Sequence, residues 1–307
     1  MTEGTKHTAV PVVASVGVFD GVHLGHRDLL RQLRQTADAC GGTTLALTFD
    51  RHPLSLVAPD RCPLWAAPPQ ERAARLIDTG YVDRVETLPF DNALRTLTAV
   101  DFLRAIRSRY GVTALVMGYD NSFGSDCRGA DTDHYVRAGQ QAGVAVTRAA
   151  QFVLPEGTVV SSSAVRRALA AGDVALAARM LGRPFTLTGT VESGRQLGRQ
   201  LGFPTANVSV DPSLQLPAPG VYAALCRTAG QTAALPCVVN IGSNPSVAPD
   251  NPVTVEAHII GFSGNLYGTP LTLFFSRRLR DERRFDSLDA LRAQIAADVS
   301  AAAHNLP

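Results

Sequence analysis

Across the first 150 positions, short apolar runs alternate with stretches in which apolar residues recur at helical spacing. AVPVVASVGVF (9–19), TLALTF (44–49), VDRVETLPF (82–90), TALVMGYD (113–120) and GVAVTRAA (143–150) read as strands. HRDLLRQLRQTADA (26–39), PQERAARLIDTG (69–80) and AVDFLRAIRSRYG (99–111) read as the helices between them. Strands that alternate with helices predict an α/β, doubly wound parallel sheet, with ligands at the carboxyl ends of its strands. Two short helical stretches follow at 163–172 and 174–182, and near Arg183-Pro184 the pattern changes. FTLTGTVESG, GVYAALCRT, CVVNIG, VTVEAHII and PLTLFFSRRL are strands separated by turns, which predicts a small antiparallel β-barrel. An amphipathic helix over 287–305 follows the barrel. The expected domains are 1–182 and 183–307.

Composition narrows the function classes. Among 307 residues, 29 Lys and Arg against 27 Asp and Glu leave a formal charge of +2. A nucleic-acid binder would show a concentrated basic surface, so none is expected as partner. No apolar run approaches the roughly 20 residues of a membrane span. The start MTEGTKHTAV lacks the basic and apolar stretches of a signal peptide. Five cysteines at wide spacing, with no CxxC, indicate neither a zinc knuckle nor a disulfide framework. A cytoplasmic protein is expected; the sequence leaves its oligomeric state open. Lys6 is the only lysine. A P-loop and a covalent lysine nucleophile are therefore excluded. Phosphate chemistry must use arginine, histidine, backbone amides and metal.

Two regions carry candidate chemistry. GVFDGVHLGH (17–26) follows the first strand and opens the first helix. Gly17, Gly21 and Gly25 let the backbone approach a ligand. His23 and His26 lie at the helix start, where free amides and the dipole favour anions. Their imidazoles could stabilise charge at phosphorus; a zinc pair and a plain surface turn are the alternatives. VVSSSAVRRAL (159–169) sets Ser161, Ser162 and Ser163 ahead of a helix with Arg166 one turn on. That is an N-cap, and equally a grip for a triphosphate. In the second half, GTVESGRQLGRQLGFPTAN (189–207) could wrap phosphates through Gly194, Gly198 and Arg199. Thr205 and Asn207 offer oxygens to Mg²⁺. A Gly/Arg hairpin is the plainer alternative. Glu256 lies on an apolar strand, where a carboxylate is costly unless partnered or functional. It is either a general base or a charge on an exposed strand face.

Taken together, the motifs resemble the prokaryotic bifunctional riboflavin kinase/FAD synthetase family over nearly the whole chain. Its GxFDGxHxGH run is intact at 17–26, its F-x-PHP run reads FDRHP (49–53), and its GxDFxFGxxxxG run reads GYDNSFGSDCRG (118–129). SSSAVR (161–166) stands for its SSTxxR. LGRPFTLTGTV, GRQLGFPTAN, LPAPGVYA, NIGSNPSV, VEAHI, LYGTPLTLFF and RLRDERRFDS continue the likeness through the kinase module. The resemblance implies a nucleotidyltransferase-like sheet domain that adenylylates FMN to FAD, and a barrel that phosphorylates riboflavin with ATP. It implies ATP phosphate binding by Phe19, His23, His26 and Arg166. Flavin contacts would come from His52, Pro53, Asp120, Phe123, Arg280 and Phe285. Glu256 would be the base, and Mg²⁺ would sit on Thr205 and Asn207. Arg51, Asn121, Ser122, Asn244 and Ser246 depart from the family pattern.

Overall fold

The computed structural model describes residues 10–194, 197–242 and 253–304. Asn244 and Ser246 lie outside them. The chain forms two compact units, Met1–Pro63 with Pro68–Val160, and Leu64–Ala67 with Ser161–Pro307.

The first unit is a five-stranded parallel sheet in the order β3-β2-β1-β4-β5. Its strands are β1 (Val12–Val16), β2 (Thr43–Phe49), β3 (Arg84–Leu88), β4 (Val112–Met117) and β5 (Ala145–Arg148). The helices are α1 (Leu24–Ala39), the short α2 (Leu54–Val57), α3 (Arg72–Ile77), α4 (Asn92–Thr96), α5 (Ala99–Tyr110) and α6 (Thr132–Ala142). Side-chain alternation in the central strands builds two cores. Val13, Ala46 and Val116 face one way, onto Leu30, Leu33 and Leu76 of α1 and α3. Ala14, Leu45, Leu47 and Leu115 face the other way, onto Phe102, Leu103 and Ile106 of α5 and Tyr135 of α6. Strands buried on both faces read as continuous apolar runs, which is why the sequence pattern located them. The strand order reverses between β1 and β4, and the crevice outside their carboxyl ends is the usual ligand position in such sheets.

The second unit is a closed antiparallel barrel ordered β10-β7-β6-β11-β8-β9. Its strands are β6 (Phe185–Glu192), β7 (Ala206–Val210), β8 (Gly220–Thr228), β9 (Leu235–Gly242), β10 (Thr254–Ile259) and β11 (Pro270–Arg280). Among the described residues this unit has one strand more than the sequence pattern predicts. β7 is the residue run ANVSV, whose short alternation is masked by the glycine-rich loop it follows. The helices are α7 (Ser162–Ala170), α8 (Val174–Leu181), the short α9 (Leu197–Gln200) and α10 (Leu288–His304). α10 buries a narrow face, chiefly Asp298 and Ala302, rather than a broad apolar stripe.

The sequence pattern changes from helices to strands at 183, whereas the compact units divide at 160/161. The reason is packing. α8 lies against β6 and β11. Leu169, Val174, Ala177, Met180 and Leu181 are buried, and Ala218 donates its amide to the Leu169 carbonyl at 2.9 Å. A fragment of residues 161–307 is therefore expected to be more stable than one of 183–307. Thermal unfolding should separate them by at least ~5 °C, since ~1 kcal/mol moves Tm by about 4–8 °C in a small domain. Equal melting temperatures would show that α7 and α8 add nothing to the barrel.

Candidate active sites

In the sheet unit the candidate residues stand on a turn with unusual backbone. Between β1 and α1, Phe19 (φ 52°), Gly21 (φ 79°) and Val22 (φ 43°) all adopt left-handed geometry. That is uncommon for phenylalanine and strained for a β-branched valine. The turn is nonetheless buried: Phe19, Asp20, Val22 and His23 are each 5% exposed or less. The reversal brings His23 to the N-cap of α1, where its Nδ1 accepts the His26 amide at 3.2 Å. The two imidazoles stack with centroids 3.6 Å apart and planes 16° apart, and the Phe19 ring meets His26 edge-on at 5.2 Å. Gly25 is tightly enclosed: a Cβ there would stand 3.0 Å from the Val160 carbonyl and 3.2 Å from the His23 ring. Burial, then the neighbouring His23 and Arg72, hold the His26 pKa well below the usual histidine value. His26 is thus neutral at physiological pH, and its buried Nδ1 has no protein partner among the described residues. A neutral, stacked imidazole at a helix N-terminus can hydrogen-bond an anion there.

The 118–124 loop leaves the carboxyl end of β4, across the strand-order reversal from this turn. Asn121 donates its side-chain amide to the Val16 carbonyl at the end of β1, so this departure from the family pattern ties the loop to the neighbouring strand. Phe123 packs between Phe102 (5.1 Å) and Tyr135 (4.8 Å), and its amide donates to the Tyr135 hydroxyl at 3.3 Å. Gly124 (φ 91°) leaves no room for a Cβ beside the Ala99 amide. Asp120 and Ser122 are exposed. Arg148, outside every motif, donates to the carbonyls of Tyr119 (2.6 Å), Asn121 (3.3 Å) and Gly118 (3.4 Å). In the FDRHP segment (49–53), His52 Nδ1 accepts the Leu54 amide at 3.1 Å, and Pro53 caps α2. Arg51 is 59% exposed and pairs loosely with Asp50 at 3.4 Å.

The second compact unit holds the remaining motifs. Ser161 caps α7 by accepting the Ala164 amide at 3.2 Å, and Arg166 donates to Ser163 Oγ at 3.2 Å. In the barrel, Glu256 on β10 pairs with Asn207 on β7 on one side and with Asn240 on β9 on the other. Val255, Ala257 and Ile259 fill the core, so Glu256 points to the opposite face. Thr205 donates its hydroxyl to Glu256 Oε2 at 3.2 Å. Gly194 and Gly198 are required by space. A Cβ on the first would overlap the Asn207 amide, and one on the second the Phe203 carbonyl. Arg199, on α9, is exposed. The sequence-predicted Thr205, Asn207 and Glu256 are therefore one constellation.

The sequence pattern does not single out Glu282, which joins them. Burial raises its carboxyl above the usual range, and the nearby Glu256 carboxylate adds to the rise. The Asn240 amide donates to it at 3.5 Å, and Gly242 leaves space for its head. Arg280 is largely committed elsewhere. Its Nε and Nη2 grip the buried Asp298 carboxylate on α10 at 2.9–3.1 Å. The Phe285 ring lies 5.7 Å from its guanidinium. Asp298→Ala should destabilise the protein by about 3 kcal/mol, the lower end for breaking a buried pair, because Arg280 stays 20% exposed. A denaturant midpoint unchanged from wild type would show the pair to be dispensable.

The fold thus joins a doubly wound sheet unit of the nucleotidyltransferase-like class to a closed-barrel unit, each with its own cluster of candidate residues. Family models agree: the FAD synthetase model matches residues 5–164 and the riboflavin kinase model residues 181–306. The chain belongs to the bifunctional riboflavin kinase/FMN adenylyltransferase family. It is 43% identical to such a protein from Pseudomonas fluorescens over 94% of this chain and 91% of the relative. Against that of Escherichia coli K12 it is 38% identical over 93% and 90%. A crystal structure titled as a macrolide-efflux protein from Streptococcus pneumoniae superimposes with a TM-score of 0.85 at 28% identity. It covers 97% of this chain and 95% of its own. No helix among the described residues is long and apolar enough to cross a membrane.

Proposed function

We propose that the barrel converts riboflavin and ATP to FMN and ADP, and that the sheet unit converts FMN and ATP to FAD and pyrophosphate. The observation that carries the kinase assignment is the Thr205–Glu256 hydrogen bond at 3.2 Å, with Asn207 opposite Glu256 in the ladder. Glu256 accepts the proton of the ribityl 5′-hydroxyl as that oxygen attacks the γ-phosphorus and ADP departs. Thr205 spends its proton on Glu256, which leaves its oxygen lone pairs available. Together with the Asn207 amide oxygen they form a hard donor set that suits Mg²⁺. A bound ion there offsets charge on the phosphates. Glu282 adds a second carboxyl beside Glu256, and Phe285 and Arg280 border the flavin end.

On the sheet, the FMN phosphate oxygen attacks the α-phosphorus of ATP and pyrophosphate leaves. Neutral His26 and its stacking partner His23, with the amides opening α1, stabilise the charge at phosphorus. The 118–124 loop carries Asp120 and Phe123 toward the flavin, with His52 and Pro53. Asn121 anchors that loop to the end of β1 through the Val16 carbonyl. Five free cysteines fit a cytoplasmic setting. The test is product chromatography after incubation with riboflavin, ATP and Mg²⁺. Both FMN and FAD are expected; FMN alone would remove the adenylyl-transfer reading, and neither product would remove both.

A further inference from the structure

Arg72 opens α3, belongs to none of the motifs, and is 5% exposed. A buried guanidinium is costly unless its charge and N–H groups are engaged. Here Nη1 donates to Thr48 Oγ1 at 2.9 Å and to the Phe49 carbonyl at 2.8 Å, at the carboxyl end of β2. Thr48 Oγ1 donates onward to the Val18 carbonyl at 3.3 Å, directly ahead of Phe19. Asp20, inside the left-handed turn and 3% exposed, supplies the countercharge. Arg72 therefore reaches the turn by two routes, through Thr48 to its entry and through Asp20 to its centre. The turn needs such support, because Phe19 and Val22 hold backbone geometry that costs of order 1–3 kcal/mol each. His23 and His26 leave that turn.

We infer that Arg72 is a positioning residue for adenylyl transfer, holding the strained Phe19–Val22 turn so that the stacked His23 and His26 face the phosphates. The inference rests on the reading of the histidine pair as the adenylyl-transfer site. The groups that face His26 are His23 beside it on α1, the Phe19 ring, and Arg72 from α3, with Asp20 countering Arg72. Arg72 thus also disfavours a proton on His26.

The experiment compares full-length wild type, Arg72→Met, Arg72→Lys and His26→Ala with FMN, ATP and Mg²⁺. Riboflavin phosphorylation and thermal unfolding serve as controls. Arg72→Met should lower kcat for FAD formation by at least about tenfold with both KM values within about twofold, the mark of misplaced transition-state donors. Arg72→Lys keeps the charge but reaches one acceptor, so its kcat should fall between the two. NMR titration of the His26 ring should move to higher pH in Arg72→Met and stay near wild type in Arg72→Lys. A wild-type kcat in Arg72→Met, or losses that only follow the unfolded fraction, would overturn the role. If the Met variant does not fold, Arg72→Lys decides: lowered kcat at unchanged KM supports the role, and a wild-type rate ends it. A wild-type rate in His26→Ala would instead remove the histidine site itself.

Discussion

Replacing Glu256 by Gln should lower FMN formation by about 10²–10⁴, the usual cost of losing a general base. FAD formation from added FMN should be unaffected. The change is conservative where it stands. A glutamine oxygen can still accept the Thr205 hydroxyl bond that Glu256 accepts at 3.2 Å, and the β10 pairing with Asn207 and Asn240 runs through backbone. The loss is then of proton acceptance, so it should appear in kcat with little change in the riboflavin KM. Removing this charge also relieves Glu282, whose carboxyl is held up partly by Glu256. Kinase turnover near wild type would leave Glu256 as a strand-face carboxylate and would transfer the search for the base to Glu282.

Replacing His26 by Ala should lower FAD formation from FMN by roughly 10²–10³, the cost of one preorganised donor at a developing charge. Riboflavin phosphorylation should stay near wild type. His26 is half-buried and stacks on His23 at 3.6 Å, so the truncation also frees the His23 ring. The N-cap survives, because His23 accepts the backbone amide of residue 26 and not its side chain. The fold should therefore persist, as a melting curve would show. The zinc alternative forecasts something different: activity abolished by chelation and not restored by Mg²⁺. Among the described residues no three His, Cys, Asp or Glu side chains gather as a metal site. The assay is FMN adenylylation in excess Mg²⁺ after removal of transition metals. An unimpaired variant takes His26 out of the catalytic set, and rescue of wild type by Zn²⁺ alone replaces the anion-binding account.

The parallel sheet was legible because both faces of β1, β2 and β4 are buried, which writes unbroken apolar runs into the chain. β7 was not, because a five-residue strand after a glycine loop carries too short an alternation to stand out. α7 and α8 read correctly as helices. Their packing with the barrel was invisible, because a helix's apolar stripe does not say which surface covers it. Among site residues, the glycines announced themselves, and Gly124, Gly194 and Gly198 prove to be positions where a Cβ would collide. The resemblance sets Arg280 near the flavin, yet nothing in its segment announces its partner Asp298 on α10, eighteen positions away.

By itself, then, the sequence determined what is local and periodic: strand and helix types, the glycine turns, the histidine pair three residues apart, and the absence of a lysine for a P-loop. Tertiary structure alone decided what depends on long-range contact. It set Glu256 between Asn207 and Asn240, placed Glu282 beside it, and bound Arg148 to the 118–124 loop. It also buried Arg72 against Thr48, Phe49 and Asp20. The physical reason is one of range. Backbone propensity and side-chain spacing act over a few residues and are written in order along the chain. The partner of a buried charge is chosen by which strands and helices meet, and an arginine in a helical pattern looks the same whether it ends in water or beneath an active site.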